Sequence, residues 1–423
     1  MSTMLRNQGS NALRVIPEDA PSAASDRVFL FLQGLPGPFF ARLRDALEKR
    51  GARVLRINFN GGDQLDWLRP GAIAYRGGLA AWRDFLARQL AAHSVTDVVM
   101  FNDARPVHAA ARALCNARAI PLHVFEDGYL RPNYITLERG GVNRNSPLPR
   151  DIAEIMAAAA ALPAPPAVTP VPTTFRRRAL DGVRYELYAA LLHPWYRGYR
   201  GHRPLSAIRE GKGWLRRLAR MAGEADRSRR ALAGIGGRRH YILPLQLDAD
   251  TQLRLYSSYG AMQPALAEVI ESFARFAPTD SVLIVKQHPL DSALADWRAI
   301  SAELARAHGV GDRIIYIERG DINEILRGCA GLVTINSTAG MSALESKVPV
   351  FVLGEAVYGI AGIVAAGSLE SFWAAPGVVD QANYQALRRL MMHRSLVHGG
   401  FHSDAGIQLA VRNATNRLVL GSQ

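Results

Sequence analysis

At 423 residues the chain is too long for one typical core, since domains run to roughly 100–200 residues, and it implies two or three. With 48% hydrophobic and 21% charged residues it has the balance of a folded soluble protein rather than a disordered one, and no apolar run approaches the roughly 20 residues that span a bilayer. A formal net charge of +14 favours anionic partners (phosphates, nucleic acid or an acidic leaflet) without choosing among them, while two isolated cysteines, Cys115 and Cys329, point to a reducing, cytoplasmic compartment.

Residues 1–26 lack the apolar core of a signal peptide and read as a flexible leader. RVFLFLQ (27–33) predicts a strand, PGPFFARLRDALEKRG has helical spacing and a glycine stop, and ARVLRINF (52–59) predicts a second strand. The step repeats with a helix over 80–94, the strand DVVMFND (97–103), a helix over 108–120 and the strand PLHVFEDG (121–128). This alternation predicts a parallel α/β sheet, so 27–161 is expected to form a Rossmann-like domain. Proline-rich LPAPPAVTPVPTT (162–174) reads as a linker, because neither helix nor strand tolerates it. It opens a connector, 162–239, in which residues 175–230 mix many arginines with Trp195, Tyr196, Tyr199 and Trp214. Such a mixture suits a helix lying on an anionic membrane surface, or a connector whose arginines face water.

A second alternation follows, with strands at HYILPLQ (240–246), SVLIVKQH (281–288) and RIIYIE (313–318) and helices over 264–277 and 297–309. INEILRGC, GLVTIN, MSALES and PVFVLG continue it, so 240–405 is expected to form a second Rossmann-like domain, with 406–423 as a C-terminal helix or tail. The fold class is α/β: two doubly wound domains facing across a cleft, an arrangement that resembles the GT-B glycosyltransferases. Ligands of open parallel sheets bind outside the carboxyl ends of the strands. Gln33, Asn102, Asp103, Glu126, Asp127, Gln246, His288 and Asn336 are expected there.

FEDGY (125–129) sets Glu126 and Asp127 side by side at a strand end. They are a solvated rim or a catalytic pair, since an unpaired ionised carboxylate is costly to desolvate. KQHPLD (286–291) sets Lys286 and His288 before Pro289, which fixes the turn, and reads as a packed strand end or a phosphate site. In INSTAG (335–340), Asn336, Ser337 and Thr338 lie between strand and helix, where hydroxyls cap the helix or join its free amides on a phosphate. Asp248 and Asp250 of LPLQLDADTQ (243–252) are readable as a metal-nucleotide pair, a cleft carboxylate or a turn. Neither GxGxxG nor Walker spacing occurs, and neither a metal nor another cofactor is expected. The loops QGLPGPFF and NFNGGD, with Gln33, Asn60, Asp63, Asp103 and Arg105, and Arg131 beyond the EDG motif, are candidates for the acceptor and sugar side, or else turns and ion pairs.

EDG, HP and ST occur in the order seen in bacterial sialyltransferases of GT-B type, which use CMP-sugar donors. FLQGLPGPFF, RINFNGGD, FEDGYLRPNYITLERGGVN, PLQLDADTQ, KQHPLD and TINSTAGMSALES more closely resemble the capsule polysaccharide biosynthesis family, over about 27–405, and within it the retaining β-Kdo transferases. The resemblance implies transfer of Kdo, an acidic eight-carbon ulosonic acid, from CMP-β-Kdo to a lysophosphatidylglycerol acceptor, starting the β-Kdo linker of a capsular polysaccharide. It implies a peripheral place on the anionic inner leaflet of the cytoplasmic membrane, other capsule biosynthesis and export proteins as partners, and no nucleic acid. The first domain would take the acceptor and the second the CMP-sugar, with Lys286, His288, Pro289, Ser337 and Thr338 on the phosphate and Gln246 and Asn336 beside them.

A β-linked donor and a β product mean retention, which a double displacement through a carboxylate adduct explains. Asp250 is then favoured as nucleophile over Asp248 and Asp127, Asp127 is the base toward the acceptor with its pKa raised by Glu126, and Arg131 pairs with the Kdo carboxylate. The tail RSLVHGGFHSD departs from the aromatic-ended pattern of the family. A non-catalytic export or scaffold role, and transfer of another CMP-linked ulosonic acid such as sialic acid, are the alternatives.

Overall fold

The four predicted strands of the N-terminal half become β1 (Val28–Phe31), β2 (Arg53–Asn58), β4 (Asp97–Phe101) and β5 (Leu122–Asp127), and a short edge strand not expected from the sequence, β3 (Ala72–Ala74), joins them in parallel in the order β3-β2-β1-β4-β5. Helices cover both faces, so the central strands are apolar throughout rather than alternating. Phe29 and Phe31 of β1 enter one layer of the core and Leu30 the other. This computed structural model describes residues 24–199, 201 and 207–420. Most of the leader expected over 1–26, residues 200 and 202–206 of the connector and residues 421–423 of the tail lie outside the described residues.

The first sheet is not purely parallel. β6 (Tyr134–Arg139) folds back on β5 as an antiparallel hairpin, with Glu126 opposite Thr136 and Asp127 opposite Ile135. The two acids are therefore paired strand residues, and Gly128 follows them because a Cβ there would lie 1.9 Å from the Tyr134 carbonyl oxygen. In the second half β7 (His240–Pro244), β8 (Val282–Lys286), β9 (Ile314–Ile317), β10 (Cys329–Thr334) and β11 (Val350–Val352) form an all-parallel sheet in the order β11-β10-β7-β8-β9. Two doubly wound domains are thus the observed architecture, as expected.

The two halves exchange segments. β12 (Leu396–His398) pairs antiparallel with β6, and the helix Asp404–Leu420 buries Ile407, Ala410, Ala414 and Leu418 beside Phe39, Leu43 and Leu47 of the first domain. Residues 396–405, expected in the second domain, lie in the first. Conversely the helix Ile152–Ala160 packs Ile155 and Ala159 into the second core beside Tyr384, Leu387 and Met391.

The connector is fastened at both ends. Its proline-rich part has no regular element, but the Val171 amide donates to Asn133 Oδ1 (2.9 Å) and the Thr174 amide to the His402 carbonyl (3.1 Å). The helix Phe175–Leu191 lies on the helix Gly61–Trp67 so closely that a Cβ on Gly61 would sit 2.0 Å from the Tyr188 carbonyl oxygen. The helix Ala207–Ala233 borders the second sheet, where Arg227 and Ser228 bond Glu318 just beyond β9. Among the described residues no helix is long and apolar enough to cross a membrane.

Candidate functional site

The ends of β5 and β8, and the turn after β7, bring ionisable groups from both domains into one cleft. On the first-domain wall Glu126 accepts from Asn102 Nδ2 (2.8 Å) through Oε2 and from the Asp127 amide (3.1 Å) through Oε1. Asn102 holds a left-handed backbone (φ 62°), which asparagine tolerates better than most residues, and its Nδ2 also reaches Thr251 Oγ1 of the second domain at 3.3 Å. Burial, then the like charge of Asp127, push the Glu126 carboxyl up to about 8, and Asp250 across the cleft adds to the rise. Burial also pushes Asp127 upward, but Arg131 (3.4 Å), Arg178 (3.9 Å) and His402 outweigh it and hold Asp127 below its ordinary range. The raised group is therefore Glu126 and not Asp127, the reverse of the expected effect, because the guanidinium groups lie against Asp127.

On the second-domain wall Asp250 caps the helix Thr251–Leu255, its Oδ1 accepting from the Gln252 amide at 2.9 Å. Burial raises Asp250, opposed by that amide and by Arg131 and assisted by Asp127, so it faces the first-domain acids. Asp248 accepts from the Met262 amide (2.8 Å) and serves the start of the helix Met262–Phe276. His288 accepts the Leu290 amide at Nδ1 (3.0 Å), which leaves Nε2 to carry the ring proton. Burial, then Arg131, Lys286, Arg178 and Arg217, hold His288 down to about 4, so the ring is neutral at physiological pH. Lys286 is buried at the end of β8, and burial lowers its amine. Pro289 is exposed in the turn that follows.

Gln246 and Asn336 exchange amide hydrogen bonds. Gln246 Nε2 donates to Asn336 Oδ1 (2.8 Å), the Asn336 amide donates to Gln246 Oε1 (3.1 Å), and Asn336 Nδ2 donates to the Gln252 carbonyl (2.9 Å). The pair ties the segments after β7 and β10 to the Asp250 helix. Ser337 Oγ accepts from the Ala339 amide (3.2 Å), whereas Thr338 makes no capping bond and keeps its hydroxyl available.

Five of the six acceptor-side candidates are engaged in buried or part-buried hydrogen bonds. Gln33, Asn60 and Asp63 meet around the Tyr185 hydroxyl of the connector helix, which accepts from Gln33 and Asn60 (3.0 and 2.9 Å) and donates to Asp63 (3.0 Å). Asp63 also takes Arg56 (3.2 Å), and Tyr199 donates to Gln33 (2.9 Å). Arg105 donates to the Gly34 carbonyl (2.9 Å). Asp103 accepts from Asn145 Nδ2 (2.9 Å), which also donates to Tyr256 of the second domain (3.0 Å). Arg131, with 49% of its side chain exposed, is the one that opens toward the acids.

Three further groups belong to the cleft and were not singled out from sequence. Arg178 comes from the connector, Arg217 from the helix Ala207–Ala233, and His402 from the loop after β12, its Nε2 buried without a hydrogen-bond partner. The run FRRRAL and the divergent tail FHSD were the available signals.

Residues 96–402 match the family model described as capsule polysaccharide biosynthesis protein. The chain is 35% identical over 415 residues to the capsule polysaccharide modification protein LipB of Neisseria meningitidis serogroup A, covering 95% of this chain and 96% of the relative. It is 33% identical over 388 residues to the capsule polysaccharide export protein KpsS of Escherichia coli, covering 89% and 97%. Among solved structures, Thermosulfurimonas dismutans KpsC, a beta Kdo 2,7 transferase, aligns with a TM-score of 0.40 at 12% identity over 86% of this chain and 99% of that one. The Streptomyces nogalater glycosyltransferase SnogD aligns with a TM-score of 0.32 at 13% identity, over 94% and 100%.

Proposed function

Because the chain belongs to the capsule polysaccharide biosynthesis family, we propose that it transfers Kdo from CMP-β-Kdo to a lysophosphatidylglycerol acceptor with retention, starting the β-Kdo linker of a capsular polysaccharide. The observation that carries this reading is the meeting of Glu126, Asp127 and Asp250 with Arg131, Arg178 and a neutral His288 in one cleft. His288 Nε2–H and Lys286 would face the donor phosphate, with the Ser337 and Thr338 hydroxyls beside them, and stabilise the CMP leaving group as charge develops. A carboxylate oxygen of Asp250 attacks the anomeric carbon as the bond to CMP breaks. The acceptor hydroxyl then displaces Asp250, its proton passing to Asp127, so two inversions give net retention.

Charge decides how three acids share the site. Glu126, protonated at neutral pH, keeps a third negative charge away from Asp127 and Asp250. Arg131 and Arg178, which lie against Asp127, would receive the Kdo carboxylate. Pairing with it would draw them from Asp127 and make Asp127 a stronger base as the acceptor arrives. A lipid acceptor puts the protein at the cytoplasmic face of the inner membrane, among other capsule proteins.

The test is mass spectrometry of the purified protein incubated with CMP-Kdo and a short-chain lysophosphatidylglycerol. One added Kdo, lost on Asp250→Ala with the fold retained, is expected. Absence of transfer under ample donor would overturn the enzymatic reading in favour of a non-catalytic export role. A preference for CMP-sialic acid in direct competition would overturn the donor assignment.

A further inference from the structure

The helix Phe175–Leu191 is amphipathic in an inverted sense. Its polar and aromatic face is turned inward: Asp181 and Tyr185 are buried, Arg177 pairs with Asp181 at 2.7 Å, and Tyr185 completes the Gln33, Asn60 and Asp63 network. Its apolar face is turned outward. Leu180, Val183, Leu187 and Leu191 recur at helical spacing along about 16 Å of axis, and each leaves 61–66% of its surface to solvent. A tertiary fold that buries a polar face and exposes four large aliphatic residues in a row has left that row for something outside the chain.

The charge around the stripe selects the occupant. Arg176 and Arg184 lie on the same face by helical spacing and are exposed, and none of the residues on that face is acidic. Trp195, 61% exposed, continues the apolar surface beyond the helix, with the Arg76 guanidinium 5.5 Å over its ring. Trp195 also walls a pocket of about 430 Å³ that Arg69 and Arg76 help to line. Aliphatic residues interleaved with arginines and ended by a tryptophan match an anionic lipid surface, with acyl chains under the leucines and phosphates on the guanidiniums. A second copy would have to face this cationic stripe with its own cationic stripe.

We infer that the outward face of the helix Phe175–Leu191, continued through Trp195, docks this protein on an anionic lipid leaflet. The identity of that leaflet rests on the function proposed above, but the docking itself needs no transfer reaction. One helix then does two things, because Arg178, two residues before Leu180, reaches Asp127 in the cleft at 3.9 Å. Docking on this face leaves Arg178, on the opposite side of the helix, turned toward the cleft.

The experiment is co-sedimentation of the full chain with phosphatidylcholine vesicles made with and without phosphatidylglycerol, across a salt series. The wild type is expected to bind the phosphatidylglycerol vesicles and to be released by salt. Leu187→Ser with Leu191→Ser is expected to weaken binding by about tenfold or more, and Arg176→Gln with Arg184→Gln to remove most of the salt dependence. All these residues are exposed, so unchanged circular dichroism and melting verify the fold. Absence of wild-type binding, or binding that the leucine pair does not change, would overturn the inference. So would a wild-type dimer in sedimentation velocity that the leucine pair dissociates in the absence of lipid. Transfer to a soluble short-chain acceptor is expected to survive the leucine substitutions. If neither protein transfers Kdo while vesicle binding still responds, the docking stands and the transferase reading falls.

Discussion

Replacing Glu126 by glutamine isolates the ionisation on which the proposed charge balance depends. A carboxyl that titrates near 8 when folded, against an ordinary value near 4.5, keeps its proton in the native state over a range where the unfolded chain has lost it. The unfolded state then binds fewer protons, so stability falls as pH rises, by about 1.36 kcal/mol per pH unit. Over the whole gap the ceiling is about 5 kcal/mol, and because Glu126 is only half-buried we expect about 2–3 kcal/mol. Glutamine cannot ionise and removes this slope. Its NH2 also replaces one of the two oxygens that accept from Asn102 Nδ2 at 2.8 Å and from the Asp127 amide at 3.1 Å, and losing one of those bonds costs about 1 kcal/mol at every pH. The variant is therefore expected to be less stable than wild type near pH 5 and more stable above about pH 8. Urea unfolding of both proteins across that range provides the measurement. Stability curves that remain parallel would refute the assignment of the raised pKa to Glu126.

Arg178→Gln removes a cation 3.9 Å from Asp127, worth about 1 kcal/mol with water-like screening, so the acid limb of kcat/KM for Kdo transfer should move up by about 0.7 pH unit. An acid limb that stays in place would remove Asp127 from the role of base. His288→Ala should lower kcat roughly 100- to 1,000-fold, with His288→Gln recovering part of it through its own N–H. Since His288 is held to about 4, the wild-type profile should show no inflection from it near neutrality. Gly128→Ala places a methyl 1.9 Å from the Tyr134 carbonyl oxygen, and a loss of about 1–3 kcal/mol is expected in the urea midpoint.

The parallel cores were legible because doubly covered strands are near-continuous apolar runs, as VFLF and VLIVK show. β6 escaped because its residues, YITLER, read as the continuation of the EDG motif rather than as a strand of their own. β12 escaped because three residues carry no periodicity, and their pairing with β6 is set by contacts far apart in the chain. In the cleft, Glu126, Asp127, Asp250 and His288 could be named from their places at strand ends and turns. Which acid is raised depended on where Arg131 and Arg178 point, and helical spacing in the connector did not reveal it. For Gln33, Asn60 and Asp63 the missing information was Tyr185, a partner on the other side of a proline-rich segment.

β12 has a consequence for how the protein is made. Emerging from the ribosome N-terminus first, the chain supplies β1 to β6 long before the strand that covers the outer side of β6. Until then β6 is an open edge of the kind that recruits foreign strands. The helix Ile152–Ala160 must likewise wait for the second core in which it is buried. The first domain is therefore completed only after most of the second has been synthesised, and the two domains mature as one unit rather than in succession.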